Sequence, residues 1–181
     1  MATYVALFRG INVGKAKRVA MADLRAVFED LGYGEVKTLL QSGNVVFTAP
    51  GKLPSKAADQ IEAELRRHSG VQSSVLVIAG KEFAGIAAAN PLVDIAADPS
   101  RLMVIFMSEP PKKSRIEFPD PAQLAPEVLA IGSKAMYQWC PDGIVASKVP
   151  ASFWKQLEPV VTARNWRTVT KLTDLVQSLS G

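Results

Sequence analysis

The stretch Val36-Lys37-Thr38-Leu39-Leu40-Gln41-Ser42-Gly43-Asn44-Val45-Val46-Phe47-Thr48 decides how this chain folds. Val36 to Gln41 and Val45 to Thr48 read as strands, and Ser42-Gly43-Asn44 between them is turn chemistry, because glycine and asparagine tolerate positive φ. The pair is therefore a β-hairpin. Upstream, Met21, Leu24, Val27, Phe28 and Leu31 recur at helical spacing and Gly32 supplies a stop. Before that helix, Thr3 to Asn12 reads as a strand. Downstream, Pro54-Ser55 opens a helix through Ala58, Ile61 and Leu65 that closes at Gly70, and Ser74 to Ile78 is a further strand. The order β-α-β-β-α-β is that of a ferredoxin-like sandwich, an antiparallel sheet with its helices packed on one face.

A connecting helix follows over Lys81 to Ala89, anchored by Phe83 and Ile86 and stopped by Asn90-Pro91. The pattern then repeats more loosely. Leu102 to Met107 is a strand, and Glu109 to Pro126 holds five of the twelve prolines, which leaves room only for a short, broken helix. Val128 to Ile131 and Ala135 to Trp139 form a second hairpin about Gly132-Ser133-Lys134. The end is helical, with Val169, Leu172, Leu175, Val176 and Leu179 on one face. The expected fold is α+β: two ferredoxin-like (βαββαβ-type) halves over residues 1–79 and 101–181, with 80–100 as connecting helix and loop. The duplication rests on element order, since identity between the halves is negligible.

Composition narrows the function classes. The 181 residues are 48% apolar and 21% charged, which suits a packed interior. A net charge of +4 permits an anionic partner without requiring one. Cys140 is the sole cysteine and His68 the sole histidine, so an internal disulfide is excluded, as is a zinc site built from those residue types. No metal is expected, and no cofactor is indicated. The longest apolar runs are too short to span a bilayer, and no basic-then-apolar leader precedes Thr3, so a cytoplasmic protein without membrane association is expected.

Chemistry concentrates in the loop after the first strand, Phe8-Arg9-Gly10-Ile11-Asn12-Val13-Gly14-Lys15-Ala16-Lys17-Arg18. It holds two glycines, an asparagine and four cations, and no acid occurs before Asp23. Glycines let main-chain N–H groups face open space, and lysines add charge, so this loop suits an anion. It is not a P-loop. Gly10-x-x-x-Gly14-Lys15 is one residue short between its glycines, is followed by Ala16 where a magnesium-binding hydroxyl belongs, and meets its helix late.

These residues also carry a family likeness. Phe8 to Gly14, Met21-Ala22-Asp23-Leu24-Arg25, Leu40 to Phe47 and Thr162-Ala163-Arg164-Asn165-Trp166-Arg167-Thr168-Val169 closely resemble motifs of the bacterial DUF1697 family, and Tyr137, Pro141-Asp142-Gly143 and Ser147-Lys148 fit a further stretch. The resemblance runs from about Tyr4 to Leu175. It implies an α+β fold with ferredoxin-like halves and no particular reaction, since the family's function is unassigned. One departure stands out: this chain has Lys15 and Lys17 where the family pattern often has a second glycine and an asparagine.

Near the C-terminus, Asn165 or Thr162 is placed to cap the final helix. Arg164 and Arg167 then fall at or beside its first turn, where the macrodipole disfavours cations, and Arg164, Arg167 and Lys171 share a stripe. That arrangement makes sense beside an anion. The alternative is structural bracing: Lys171 pairing with Asp174, and Arg164 bridging the halves. Gln41, Ser42 and Asn44 belong to the hairpin turn and would complete a polar pocket if it faces the first loop.

The expected function is binding of an anionic, phosphate-bearing small molecule in a cleft between the halves. Arg9, Lys15, Arg18, Arg164 and Arg167 would supply charge, Asn12, Asn44 and Asn165 orientation, and Gln41 and Ser42 further polar groups. An enzyme acting on a phosphorylated or nucleoside-like molecule is the first alternative, and nucleic-acid binding the second. Base stacking on the sheet has thin support, because the third strand offers only Phe47 and the basic-aromatic octamer of RNA-recognition domains is missing. Asp23 is explained by its helix's first turn, His68 by a solvated position beside Arg66 and Arg67, and Cys140 by burial as a small apolar residue. The sequence leaves oligomeric state open.

Overall fold

The computed structural model describes residues 1–110, 112–157 and 161–180. Two four-stranded antiparallel sheets form, each from four strands consecutive in the chain. The first contains β1 (Ala2–Phe8), β2 (Gly34–Leu39), β3 (Asn44–Ala49) and β4 (Val75–Ala79), in the order β2-β3-β1-β4. Helices α1 (Met21–Asp30) and α2 (Ala57–Ser69) connect β1 to β2 and β3 to β4. This is the arrangement that the hairpin and its flanking helices predict. The first strand is shorter than Thr3 to Asn12, because the chain turns at Gly10 with φ +69°.

The core of this sheet follows from its alternation. Tyr4, Ala6 and Phe8 of β1 point to the helix side with Val45, Phe47 and Ala49 of β3, against Leu24, Val27 and Phe28 of α1 and Ile61 and Leu65 of α2. Phe47 is the hub: its ring lies 4.9 Å from Phe28, 4.8 Å from Tyr33 and 5.7 Å from Tyr4. The opposite face, with Val5, Leu7, Asn44, Val46 and Thr48, is buried too. A sheet buried on both faces reads as a near-continuous apolar run, which is why β1 lacks polar alternation.

The second sheet has the same order with β5 (Leu102–Met107) central: β6 (Val128–Ile131), β7 (Ala135–Trp139), β5, β8 (Val161–Asn165). Its core joins Ile105, Met107 and Met136 to Leu124, Val149, Phe153 and Leu157. The connections are reduced. Among the described residues between β5 and β6, the helical pieces are a 3-10 turn at Lys113–Arg115 and the four-residue α4 (Pro121–Leu124), whose first turn is capped by Asp120. Between β7 and β8 lies the five-residue α5 (Ala151–Lys155). Prolines that cannot donate within a helix keep these segments short.

Compactness divides the chain into residues 1–84 with 172–181, and residues 85–171. Two helices cross that division, α3 (Gly80–Ala88) and α6 (Trp166–Leu179). The end of α6 from Leu172 onward thus groups with the first sheet. There Thr3 Oγ1 donates to the Leu179 carbonyl at 3.3 Å, and a Cβ on Gly80 would come within 2.8 Å of Val176.

Of the two candidate caps for the final helix, Asn165 stands at its start, and Thr162 lies back in the strand Val161–Asn165, where Arg164 pairs opposite Val104 of β5. Five residues with apolar side chains only at Val161 and Ala163 carry little strand signal by themselves. Pairing with β5, nearly sixty residues earlier in the chain, decides the matter.

The first hairpin explains its glycine. Gly43 has φ +75°, and a Cβ there would meet Phe8 Cβ at 2.7 Å and Ile11 Cγ1 at 2.9 Å. Gly43→Ala is expected to lower unfolding free energy by about 2 kcal/mol or more, combining a left-handed backbone with overpacking. Equilibrium denaturation in urea checks it; an unchanged midpoint would contradict the close approach.

Candidate functional site

The loop between β1 and α1 is built on left-handed backbone. Gly10, Asn12, Gly14 and Lys17 all have positive φ, from +50° to +69°. Asn12 N–H donates to the Lys17 carbonyl at 2.9 Å and closes the loop. The Asn12 carboxamide then clamps Val19: Oδ1 accepts from Val19 N at 2.8 Å, and Nδ2 donates to Val19 O at 3.0 Å. Nδ2 also donates to Gln41 O at 2.8 Å. The polar atoms of Asn12 are thereby committed to main chain, and Gln41 contributes its carbonyl to that tie.

Asn44 does comparable work in the hairpin. It is fully buried, and its Nδ2 donates to Leu39 O at 3.0 Å and Ser42 Oγ at 2.9 Å. Phe8 N–H donates to Gly43 O at 2.8 Å, so turn and loop are one packed unit. The structure does bring the first loop and the Gln41-Ser42-Gly43-Asn44 motif together. Their amides, however, shape the loop.

What the loop presents outward is cationic. Arg9, Lys15, Lys17 and Arg18 are exposed, as is Val13. Arg9, Gly10 and Lys17 line an open groove of about 610 Å³, completed by Glu62 of α2 and by Gln72, Ser73 and Ser74 before β4. Ser73 is buried, its hydroxyl donating to Arg9 O at 2.8 Å, and Arg9 N–H donates to Ser74 O at 2.9 Å. Glu62 Oε1 accepts from Val75 N at 2.8 Å. Lys15 and Arg18 stand on the same loop outside the groove lining. Glu62, Gln72 and Ser73 carried no sequence signal, since only the return of β4 beside β1 brings them to Arg9.

In the second compact unit, Arg164 occupies β8 and its Nη1 donates to Thr162 Oγ1 at 2.7 Å and to the Ala163 carbonyl at 2.9 Å. Burial pulls this guanidinium down to about 10, from an ordinary value of 12.5. Its strand position removes it from the helical stripe with Arg167 and Lys171. Asn165 is the N-cap of α6, its Oδ1 accepting from Thr168 N at 3.0 Å. Arg167 is exposed and reaches Asp98 at 3.4 Å, where Arg101 also approaches to 3.6 Å. Two hydrogen bonds from Ser100, and then these two cations, hold the Asp98 carboxyl below its usual range.

Two polar clusters had not been anticipated. His68 is not freely solvated. Its Nε2 lies 3.0 Å from Asp30 Oδ2 and 3.2 Å from Glu64 Oε1. The ligating atoms of Asp30, Glu64 and His68 fall within 4.8 Å of one another. Arg67 Nη2 contacts both carboxylates, at 2.9 and 2.5 Å, and supplies positive charge there. The group is an ion-pair network tying α1 to α2.

The other cluster surrounds Glu127, a buried carboxylate before β6. Its Oε1 accepts from Gln138 Nε2 and, at 2.7 Å, from Ser147 Oγ, while Oε2 accepts from Lys148 N at 2.8 Å. Ser147-Lys148 thus serves to satisfy a buried charge. Cys140 Sγ lies 3.9 Å from Glu127 Oε1. Burial, and secondarily the Glu127 charge, push its thiol up from 9.0 to about 12. A neutral, enclosed thiol is no nucleophile.

Two outcomes follow. Cys140 is expected to resist alkylation by iodoacetamide at pH 8 in the folded protein and to react once urea unfolds it, as mass spectrometry would record; rapid labelling of the native state would refute the burial. Between pH 9 and about 12 the unfolded chain sheds this proton while the folded chain keeps it, so the Cys140 contribution to stability falls as pH rises through that window. Cys140→Ala should flatten that part of the stability–pH curve.

Comparison with known proteins adds fold but no chemistry. A conserved bacterial protein, SP0830 from Streptococcus pneumoniae, superposes with a TM-score of 0.70 at 23% identity, covering 97% of this chain and 98% of that one. No curated protein matches the chain. The model of a family described as a protein of unknown function, DUF1697, matches residues 1–137. With its first-loop, hairpin and α1 motifs all inside that span, the chain belongs to the DUF1697 family.

Proposed function

We propose that this protein binds a phosphate-bearing small molecule in the open groove beside the first loop. The supporting observation is the meeting of Arg9 and Lys17 with the bare backbone of Gly10 around one solvent-accessible space. Nothing lies within 4 Å of where a Gly10 Cβ would stand, so an anion can approach that main chain closely. Arg9 offers a planar fork of donors suited to phosphate oxygens, and Lys17 a mobile point charge. The exposed side chains of Gln72 and Ser74 add neutral donors to the same lining, while Ser73 spends its hydroxyl on the Arg9 carbonyl. Lys15 and Arg18 raise the local positive potential and steer an anion inward. Asn12 and Asn44 act one layer behind, holding the loop's left-handed turns in place. Arg164, Asn165 and Arg167 lie outside this groove lining and are not needed for it.

A second reading has one observation in its favour. Glu62 puts a carboxylate on the groove wall, which an enzyme acting on a phosphorylated or nucleoside-like molecule would require as its titratable group. Nucleic-acid binding is less well supported: Tyr4, Phe8 and Phe47, the rings an RNA-stacking sheet would present, are enclosed in the helix-side core.

Titration with inorganic phosphate and with a nucleoside monophosphate, followed by amide chemical shifts, tests the proposal. Shifts are expected at Gly10, Lys17 and Ser74, and Arg9→Ala should weaken binding about tenfold, the loss of one charge-assisted hydrogen bond. Unperturbed groove amides at millimolar ligand would overturn it. Glu62→Gln separates the readings: binding should survive, and any turnover should vanish.

A further inference from the structure

We propose that two copies of this chain associate through the outer edge of β6, joining their second sheets into one continuous sheet across a two-fold axis at Ala130. The inference begins with how the four sheet edges are protected. An exposed strand edge offers unpaired main-chain groups to any other chain, and monomeric proteins block such edges with charges, bulges or covering side chains. At the edge strand β2, Glu35 and Lys37 are exposed and the register shifts between Gly34 and Lys37. At β4, the Glu62 carboxylate accepts from the first N–H, that of Val75. Strand β8 carries Arg164 and Asn165. Among the described residues, strand β6 is protected by little beyond its shortness, four residues. It reads Val128-Leu129-Ala130-Ile131, with no charge and no proline, and it terminates its sheet.

The register of β6 suits self-pairing. Gly132 N–H donates to Ala135 O, so Gly132, Ala130 and Val128 turn their main-chain groups towards β7. By alternation, Leu129 and Ile131 turn theirs outward. In an antiparallel self-pair, Leu129 of one copy would then exchange main-chain hydrogen bonds with Ile131 of the other, and Ala130 would face itself on the axis. That central pair is of the non-hydrogen-bonded kind, in which Cα atoms approach to about 4.5 Å. Alanine has the smallest side chain that could stand there, and Gly132 would face Val128 without obstruction.

A strand pair of this length buries less than the roughly 1,000 Å² that a specific interface needs. The remaining area is available beside it. An apolar groove of about 360 Å³ runs along the helix-side face of β6, lined by Phe118, Pro119, Pro121, Leu124 and Leu129. Phe118 is 43% exposed and Val128 36%. A two-fold axis perpendicular to the sheet places both copies' grooves on the same face, either side of the axis, so each Phe118 gains an apolar neighbour. The small total area points to a weak dimer, populated at high micromolar concentration.

Sedimentation velocity of the full chain over a wide concentration range tests this, together with cysteine cross-linking. The native protein is expected to shift from monomer to dimer as concentration rises. Ala130→Cys should form a disulfide-linked dimer readily on mild oxidation, because the axial pair satisfies disulfide spacing. Val128→Cys should not, since its two copies stand about 13 Å apart along the strands. Ala130→Lys, which sets like charges against each other on the axis, should remain monomeric with an unaltered circular dichroism spectrum. A native protein that stays monomeric throughout, or equal cross-linking at positions 128 and 130, would overturn the proposal.

Discussion

The first sheet depends on a contact in which a side chain is missing. Gly43 lies against Phe8 and Ile11 so closely that no Cβ would fit, and Phe8 N–H donates to its carbonyl. This approach sets the β3 register on β1, in which Leu7 faces Asn44 and Tyr4 faces Phe47. That register brings Phe47 to Phe28 and Tyr33 at the centre of the helix-side core. A slip by one residue would turn Phe47 to the other face and scatter this cluster. The same contact presents the Gln41 carbonyl to Asn12, so loop shape and sheet register are specified together.

Polar residues in these motifs divide by what their neighbours leave unsatisfied. Asn12, Asn44 and Asn165 each bond to main chain that a turn or a helix end would otherwise strand: Val19 and Gln41, Leu39, and the Thr168 N–H. Carboxamides suit this work because they carry donor and acceptor on one short arm. The cations Arg9, Lys15, Lys17 and Arg18 do the opposite and extend from a loop whose backbone is already satisfied. An electropositive surface on a rigid, glycine-containing scaffold is what an anion site needs. Such a surface would lose little entropy if it took up an anion, because the amides behind it have already ordered the loop.

The second sheet keeps the strand order of the first with far less helix, and its interior compensates with a buried polar network. Glu127 sits among Gln138, Ser147 and the Lys148 N–H, tying the segment before β6 to β7 and to the turn after it. A charge buried in this way is costly unless each lone pair finds a donor, so the network tolerates few substitutions and specifies how these connections pack. Cys140, enclosed beside it, contributes volume and no reactivity.

The sequence by itself determined every strand whose apolar residues announce it, both hairpins, the two helices of the first half, the connecting helix and the final helix. Periodicity and turn chemistry are local properties, and local energy suffices to select them. It also located the cationic first loop, because glycine spacing and charge need no partner to be recognised. Only the tertiary structure decided that Val161 to Asn165 is a strand, since its stability comes from β5 and not from its own side chains. Only it assigned Asn12 and Asn44 to the scaffold and brought Glu62 and Ser73 to Arg9. Those outcomes depend on which main-chain groups lie opposite which side chains across many intervening residues, and that is set by strand pairing.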